Sequence, residues 1–298
     1  NYTIFKLLKL NGVGNVAVNK ILLELDGDLV ESKFKEVLLR KNLLKDWENL
    51  DDLEIDNQYQ DIINSNIHLM TVLSDKYPGQ LRKTLKHSAP AILYYKGNKS
   101  LFNQPSIAVI GSRNASIEAV DETKKICGIL SSNGFNIVSG YAKGIDRTAH
   151  ISALNNEGTT SIVLPNGLNE FKIHKDINLS NKEIDWLVLS EFQCDSPWSG
   201  ANAMTRNKTI IGLSSLVIVM ESGPEKDSKG RMSGTFNSAQ MAKKYEIPIA
   251  VLSSELVKAA GNKDMIDNGA VEIRSSDCLT VVKNNIKIFE DKPQSDLF

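Results

Sequence analysis

The chain has 298 residues, with 35 Lys and Arg against 36 Asp and Glu, so its net charge is −1. This balance excludes a chain-wide basic surface, and any contact with nucleic acid has to come from a local patch. The three cysteines are widely spaced and form no CxxC pair, which favours neither disulfides nor a zinc site. No apolar run is long enough to span a bilayer, so we expect a cytoplasmic protein with no membrane partner.

Residues 1–70 contain no proline and few glycines, and we expect an all-helical domain there. The Gly12-Val13-Gly14 turn, with apolar helical patterns on both sides, is typical of a helix–hairpin–helix. The backbone N–H groups of such a turn can contact a DNA phosphate. The local charge is acidic, however, so a structural hairpin or a docking surface is an equal alternative.

Residues 71–285 are expected to form a second domain built on a parallel sheet. A strand, a turn and a helix occur twice in succession, with one strand over Ile107–Ile110 and the next over Phe135–Val138. This order predicts a βαβα unit and hence an α/β fold. Further strands are predicted at 89–98, 161–164, 186–189, 216–220 and 247–252. Residues 286–298 are polar and charged, and we expect a flexible tail there.

The two turns of this unit are expected at the carboxyl ends of parallel strands, where open α/β sheets bind ligands. Glycine lets a ligand approach the backbone, and a helix N-terminus presents unpaired N–H groups to an anion. Together the turns predict a phosphate site, whereas either turn alone is explained as a tight connection with solvated cations. The predicted phosphate-binding residues are Gly111, Ser112, Arg113, Ser139, Gly140, Lys143 and Gly144.

Two later segments extend the predicted anion site, namely Arg206-Asn207-Lys208 and Ser233-Gly234-Thr235. The first opens an apolar helix, where cations oppose the positive end of the helix macrodipole unless an anion is bound. The second approaches another helix through glycine, which again suits an anion. For Ser233 alone, simple capping of that helix is the better interpretation.

The sequence contains no recognisable catalytic set, and neither a metal site nor a catalytic residue is predicted. Asp146 and His150 are four residues apart and share one face of a helix. We expect Asp146 to cap that helix and His150 to pack beneath the loop. The alternative, a general acid–base pair, lacks a visible nucleophile. The glycine pattern is not GxGxxG, so no dinucleotide cofactor is expected.

This arrangement resembles the DNA-processing protein A family, also called DprA or Smf. The matching motifs are Gly111-Ser112-Arg113, the 139–146 segment with Ala149-His150, and the 206–214 segment. The resemblance implies a Rossmann-like parallel sheet with helices on both faces, preceded by a small SAM-like helical domain. It departs at Lys208, where the family has arginine, and lysine loses bidentate geometry on phosphate.

The resemblance also implies a function. It implies a protein without enzymatic activity that binds single-stranded DNA, protects incoming DNA during natural transformation and helps to load a RecA-type recombinase. It further implies a homodimer. Two alternatives would use the same pocket: a nucleotide-binding sensor or defence module, and a nucleotide phosphoribohydrolase. The second is weakened because only Ser233-Gly234-Thr235 resembles the motif of those enzymes.

Overall fold

The computed structural model describes residues 1–177, 185–226, 230 and 233–290. The strands are β1 (His68–Thr71), β2 (Ile92–Gly97), β3 (Ser106–Ile110), β4 (Asn136–Ser139), β5 (Thr160–Leu164), β6 (Trp186–Ser190), β7 (Leu216–Val219), β8 (Ile249–Leu252) and β9 (Val271–Ile273). The helices are α1 (Tyr2–Leu7), α2 (Asn15–Glu24), α3 (Glu31–Arg40), α4 (Leu44–Glu48), α5 (Asp52–Asn64), α6 (Gly79–Leu85), α7 (Ile117–Ser132), α8 (Ile145–Asn155), α9 (Gly200–Gly212), α10 (Gly234–Lys244), α11 (Ala260–Asp267) and α12 (Cys278–Glu290).

All nine strands form one sheet in the order β1-β2-β6-β5-β4-β3-β7-β8-β9. Strands β3 to β9 are parallel to one another. At one edge of the sheet, β2 pairs antiparallel with β6, and β1 pairs antiparallel with β2. The predicted α/β, Rossmann-like fold with a preceding helical region is therefore confirmed. Within the described residues, no helix has both the length and the apolar character needed to cross a bilayer.

Helices cover both faces of the sheet because its strands are apolar at successive positions. Ile107 and Val109 of β3 belong to one buried cluster, which α7, α8 and α12 complete. Ala108 and Ile110 belong to a second cluster on the opposite face. That second cluster also takes in α6, α9, α10, α11 and the apolar side chains of the N-terminal helices, so the helical region shares a core with the sheet.

Two element boundaries differ from the sequence-based expectation. The helical region ends at Asn64, because residues 68–71 form β1 and pair with β2. At the other end, α12 continues to Glu290, so residues 286–290 belong to a helix rather than to the predicted tail. The rest of that predicted tail, 291–298, lies outside the described residues.

The strand order reverses between β3 and β7. The chain moves from β3 through β4 and β5 to β6 on one side, and then crosses over to β7 on the other side of β3. At such a point the loops leaving neighbouring strands diverge, and a crevice opens at the carboxyl ends of the strands.

Candidate functional site

A cavity of about 330 Å³ occupies this crevice, and we call it the switch-point cavity. Most of its wall comes from residues that the sequence predicted, although they lie on separate segments. The predicted residues that line it are Gly111, Ser112, Arg113, Asp146, Arg206, Asn207, Ser233, Gly234 and Thr235. The predicted residues that do not line it are Ser139, Gly140, Lys143, Gly144, His150 and Lys208.

The loop after β3 is fixed by Glu221, a residue that belongs to none of the predicted motifs. The Glu221 carbonyl accepts a hydrogen bond from the Ser112 amide at 2.9 Å. Its carboxylate accepts another from the Ser116 amide at 2.9 Å, beside the start of α7. The loop that carries Arg113 is thus held to the end of β7.

Gly144 brings the loop after β4 against the loop after β3. Its φ is +86°, and a Cβ at this position would lie 2.4 Å from the Ser112 carbonyl oxygen. The Ile145 amide donates to that same oxygen at 3.3 Å. Only glycine tolerates both the backbone angle and the close approach, so Gly144 shapes the site from behind the cavity wall.

Arg113 and Lys143 are both exposed. Within the described part of the chain, neither forms a salt bridge. Arg113 lines the switch-point cavity, and Lys143 follows the neighbouring β4 turn outside it. Both charges are therefore accessible from solvent, which fits the predicted phosphate site and equally the alternative of solvated cations.

Arg206 differs from the prediction in two ways: it lies in the middle of α9 and not at the start of a helix, and it is only 5% exposed. Its Nη1 donates to the Val163 carbonyl at 2.7 Å and so ties α9 to the end of β5. A Cβ on Gly140 would lie 1.8 Å from that same Nη1, so the guanidinium occupies the space that glycine leaves. Burial lowers the pKa of Arg206 to about 10, and the group remains protonated at neutral pH. Arg206 therefore borders the cavity as a buried charge fixed in position by its hydrogen bond.

Asp146 supports the loop after β4. Its Oδ2 accepts a hydrogen bond from the Ala142 amide at 3.3 Å, four residues earlier. Burial raises the pKa of this carboxyl, while the Arg206 charge and hydrogen bonds from the loop oppose the rise. Ser139 is engaged as well, since its hydroxyl donates to the Val109 carbonyl at 2.6 Å. Both side chains hold backbone in place.

His150 is fully buried, and its neighbours define its tautomer. The Thr160 hydroxyl donates to the Ile137 carbonyl at 2.8 Å, so its oxygen must accept from His150 Nδ1 at 2.7 Å. Nδ1 therefore carries the proton, and Nε2 has no partner among the described residues. Burial, followed by the Arg206 charge, lowers the pKa of His150 to about 3. A neutral imidazole in this position is a packing group, as the sequence analysis expects.

We expect His150 to make stability depend on pH. Its pKa is lower in the folded chain than the unperturbed 6.5. Its contribution is therefore fully present above pH 6.5 and is lost as the pH falls towards about 3, because only the unfolded chain takes up the proton. The free energy of unfolding should fall by about 1.4 kcal/mol per pH unit in this window relative to His150→Gln. Urea unfolding of both proteins at pH 7, 6 and 5 measures this; parallel pH profiles would contradict it.

Lys208 does not line the cavity, so the structure does not support the predicted phosphate contact at this residue. Its Nζ is 3.0 Å from Glu191 Oε2 and donates to the Ser88 carbonyl at 3.0 Å. The two side chains are 14% and 1% exposed. The carboxylate of Glu191 also accepts from Thr209 Oγ1 at 2.6 Å and from Asn15 Nδ2 at 3.2 Å. Lys208 thus belongs to a buried polar cluster between α9 and the helical region.

The same cluster fixes the helical hairpin. Asn15, the first residue of α2, donates to Glu191 and accepts from the Ala91 amide at 2.9 Å. Lys9, before the hairpin turn, donates to Gln193 Oε1 at 2.9 Å in the loop after β6. The residues on both sides of the hairpin turn are therefore bound to the sheet-containing part of the chain, which supports the structural-hairpin alternative.

The start of α10 agrees with both interpretations of its sequence. Ser233 is the N-cap residue, and its Oγ accepts from the Phe236 amide at 3.4 Å. Gly234 and Thr235, in the first turn, line the switch-point cavity. The hydroxyl therefore caps the helix while the first turn of the helix faces the cavity.

Two side chains beside this site, Tyr141 and Arg147, were not among the predicted site residues. Tyr141 adopts a φ of +64°, which nothing in the sequence signals. Its hydroxyl accepts from the His174 amide at 2.6 Å, and its ring packs edge-on against Phe171 at 5.2 Å. The Arg147 guanidinium lies 5.6 Å from the centre of the same ring, a cation–π contact. Tyr141 thus joins the loops after β4 and β5.

Comparison with known proteins agrees with this geometry. Residues 68–283 match the family model for DNA recombination-mediator protein A. The chain is 33% identical to DNA processing protein DprA of Streptococcus pneumoniae, over 74% of this chain and 78% of the relative. It is 34% identical to protein Smf of Synechocystis, over 64% of this chain and 48% of that relative.

Two solved structures share the fold. The X-ray structure of DprA from S. pneumoniae has a TM-score of 0.79 and 27% identity, covering 94% of this chain and 96% of the other. DprA from Helicobacter pylori, whose single-stranded DNA binding mode has been described structurally, has a TM-score of 0.60 and 26% identity, covering 74% and 98%. With the family model spanning most of the chain, we conclude that this protein belongs to the DNA recombination-mediator protein A family.

Proposed function

We propose that this protein binds single-stranded DNA along the switch-point cavity and does so without catalysis. The observation that carries the proposal is Arg113, an exposed cation with no ion-pair partner among the described residues, on a loop hydrogen-bonded to Glu221 and lining the same cavity as the first turn of α10. Lys143 extends the positive charge outward, and Arg206 supplies a fixed, buried charge at the border of the cavity. Such a groove recognises the phosphate backbone, which every sequence shares.

The family membership and the H. pylori relative support this ligand. We propose further that the protein protects incoming DNA in natural transformation and helps to load a RecA-type recombinase, which places its function in the cytoplasm. We also propose a homodimer. A groove of about 650 Å³ between α10, α11 and the edge strand β9, where apolar residues such as Met265 and Val271 alternate with charged ones, is the face that we assign to the second copy.

Arg113→Ala should weaken binding of oligo(dT) about tenfold at low salt, since a hydrogen bond to a charged group contributes about 1.5 kcal/mol or more. It should also reduce the slope of log affinity against log salt by about 0.7, the value for one phosphate contact on a single strand. Gel shifts or fluorescence anisotropy at several salt concentrations measure both quantities.

Lys99→Ala is the matched control. Lys99 is exposed and precedes β3, at the opposite end of that strand from Arg113, so its loss removes one positive charge far from the cavity. The control should bind with the wild-type slope. Equal slopes in all three proteins would overturn the assignment of Arg113 to a phosphate.

A further inference from the structure

Trp198 is an aromatic side chain left in solvent. It is 58% exposed, and it alone is exposed among the Trp, Tyr and Phe side chains that the structure describes. Burying a tryptophan is strongly favourable, so an exposed indole is unusual for a residue with only a packing role. Pro197 before it is exposed too, and Ser199 after it is the N-cap of α9.

The position of Trp198 is set by the loops at the carboxyl ends of the strands. The Ser196 carbonyl accepts from the Gly167 amide at 2.8 Å, which holds the loop after β6 against the loop after β5. The helix that follows, α9, carries Ala203 and Arg206 into the switch-point cavity. Trp198 lies two residues before the first residue of α9, and Ala203 lies in the first turn of that helix.

A second partly exposed apolar side chain follows Trp198 on the same segment. Met204, 37% exposed, lies on α9 and lines the switch-point cavity itself. Arg113, on the loop after β3, lines the same cavity. A strand held by Arg113 would therefore also meet the apolar side chains of α9, which suit bases better than phosphates.

We propose that Trp198 is a base-stacking platform, on which one base of the bound single strand lies while neighbouring phosphates occupy the switch-point cavity. The inference rests on the proposed function and adds to it a contact with the base. Stacking is tolerant of sequence because every base has a π-face. The site would therefore bind any unpaired base and discriminate against a strand that lacks bases.

The test compares oligo(dT) with an oligonucleotide of the same length built from abasic units, which keeps the phosphates and removes the bases. The chain has three tryptophans, and Trp47 and Trp186 are partly buried, so quenching of the exposed indole reports on stacking directly. We expect oligo(dT) to quench wild-type fluorescence and the abasic strand to bind without that quenching. Trp198→Ala should bind oligo(dT) about tenfold more weakly and bind the abasic strand unchanged, while Trp198→Phe should retain most of the affinity.

The outcomes separate the two proposals. If wild-type protein binds both strands and Trp198→Ala binds oligo(dT) equally well, the platform is wrong and the proposed function stands. If Trp198→Ala loses affinity for both strands alike, the indole acts on the loop and not on a base, and the platform is again wrong. If wild-type protein binds neither strand, the proposed function fails and this inference fails with it. Equal thermal midpoints of wild type and variant show that the fold is retained.

Discussion

Gly140→Ala is expected to cost about 2 kcal/mol of stability and to weaken DNA binding, although it adds one methyl group. The added Cβ would lie 1.8 Å from Arg206 Nη1, so the guanidinium has to leave its position. Moving it breaks the 2.7 Å hydrogen bond to the Val163 carbonyl, and a buried hydrogen bond to a charged group contributes about 1.5–3 kcal/mol. Urea unfolding measures the loss.

A double-mutant cycle shows whether Arg206 is the cause. In an Arg206→Met background the guanidinium is absent, and Gly140→Ala should then cost much less, giving a coupling energy of about 1.5 kcal/mol or more. Gly200→Ala is the control, since a Cβ at Gly200 in the first turn of α9 meets nothing within 4 Å. Additive effects of Gly140→Ala and Arg206→Met would contradict the arrangement described here.

The fold could be predicted from sequence because its signals are local. Most of the parallel strands are short apolar runs, and several are followed by glycine or serine, as Ile110 is by Gly111. The three-residue strand β9 was not predicted, because Val271-Glu272-Ile273 is too short to form such a run. The antiparallel strand β1 was missed because His68–Thr71 is four residues long and follows directly on a helical pattern. Its strand character comes from pairing with β2, a contact that no local pattern encodes.

The site was predicted in part for the same reason. The segments that follow neighbouring parallel strands meet at one edge of the sheet. Sequence alone therefore predicts that Arg113, Asn207 and Gly234 lie close together, and all three line the switch-point cavity. What the sequence could not give is which cation faces solvent. Arg206 and Lys208 lie two residues apart on one helix and hence on different faces, and each meets a buried partner from a distant segment. The charge of a residue alone does not show whether its side chain contacts a ligand or is bonded to another part of the same chain.

Because two of these cations are exposed and two are largely buried, we expect them to have different roles. Arg113 and Lys143 are exposed and form no salt bridge among the described residues, Arg206 ties α9 to the end of β5, and Lys208 joins α9 to the helical region. A substitution at each should therefore move a different observable: salt dependence for the exposed pair, and stability for the buried pair. DNA affinity measured at one salt concentration would not separate them.

Lys208→Met is expected to lower the free energy of unfolding by about 3–5 kcal/mol, because it leaves the Glu191 carboxylate buried at 1% exposure without its cation. Lys99→Met is the control for losing an exposed lysine and should have little effect. The salt dependence of DNA binding by folded Lys208→Met should equal that of wild type, since no phosphate contact is lost. A stable variant with a slope reduced by one phosphate would show instead that Lys208 contacts DNA. Adding Glu191→Leu to Lys208→Met should recover part of the stability, because it removes the unpaired charge and the cost of burying it.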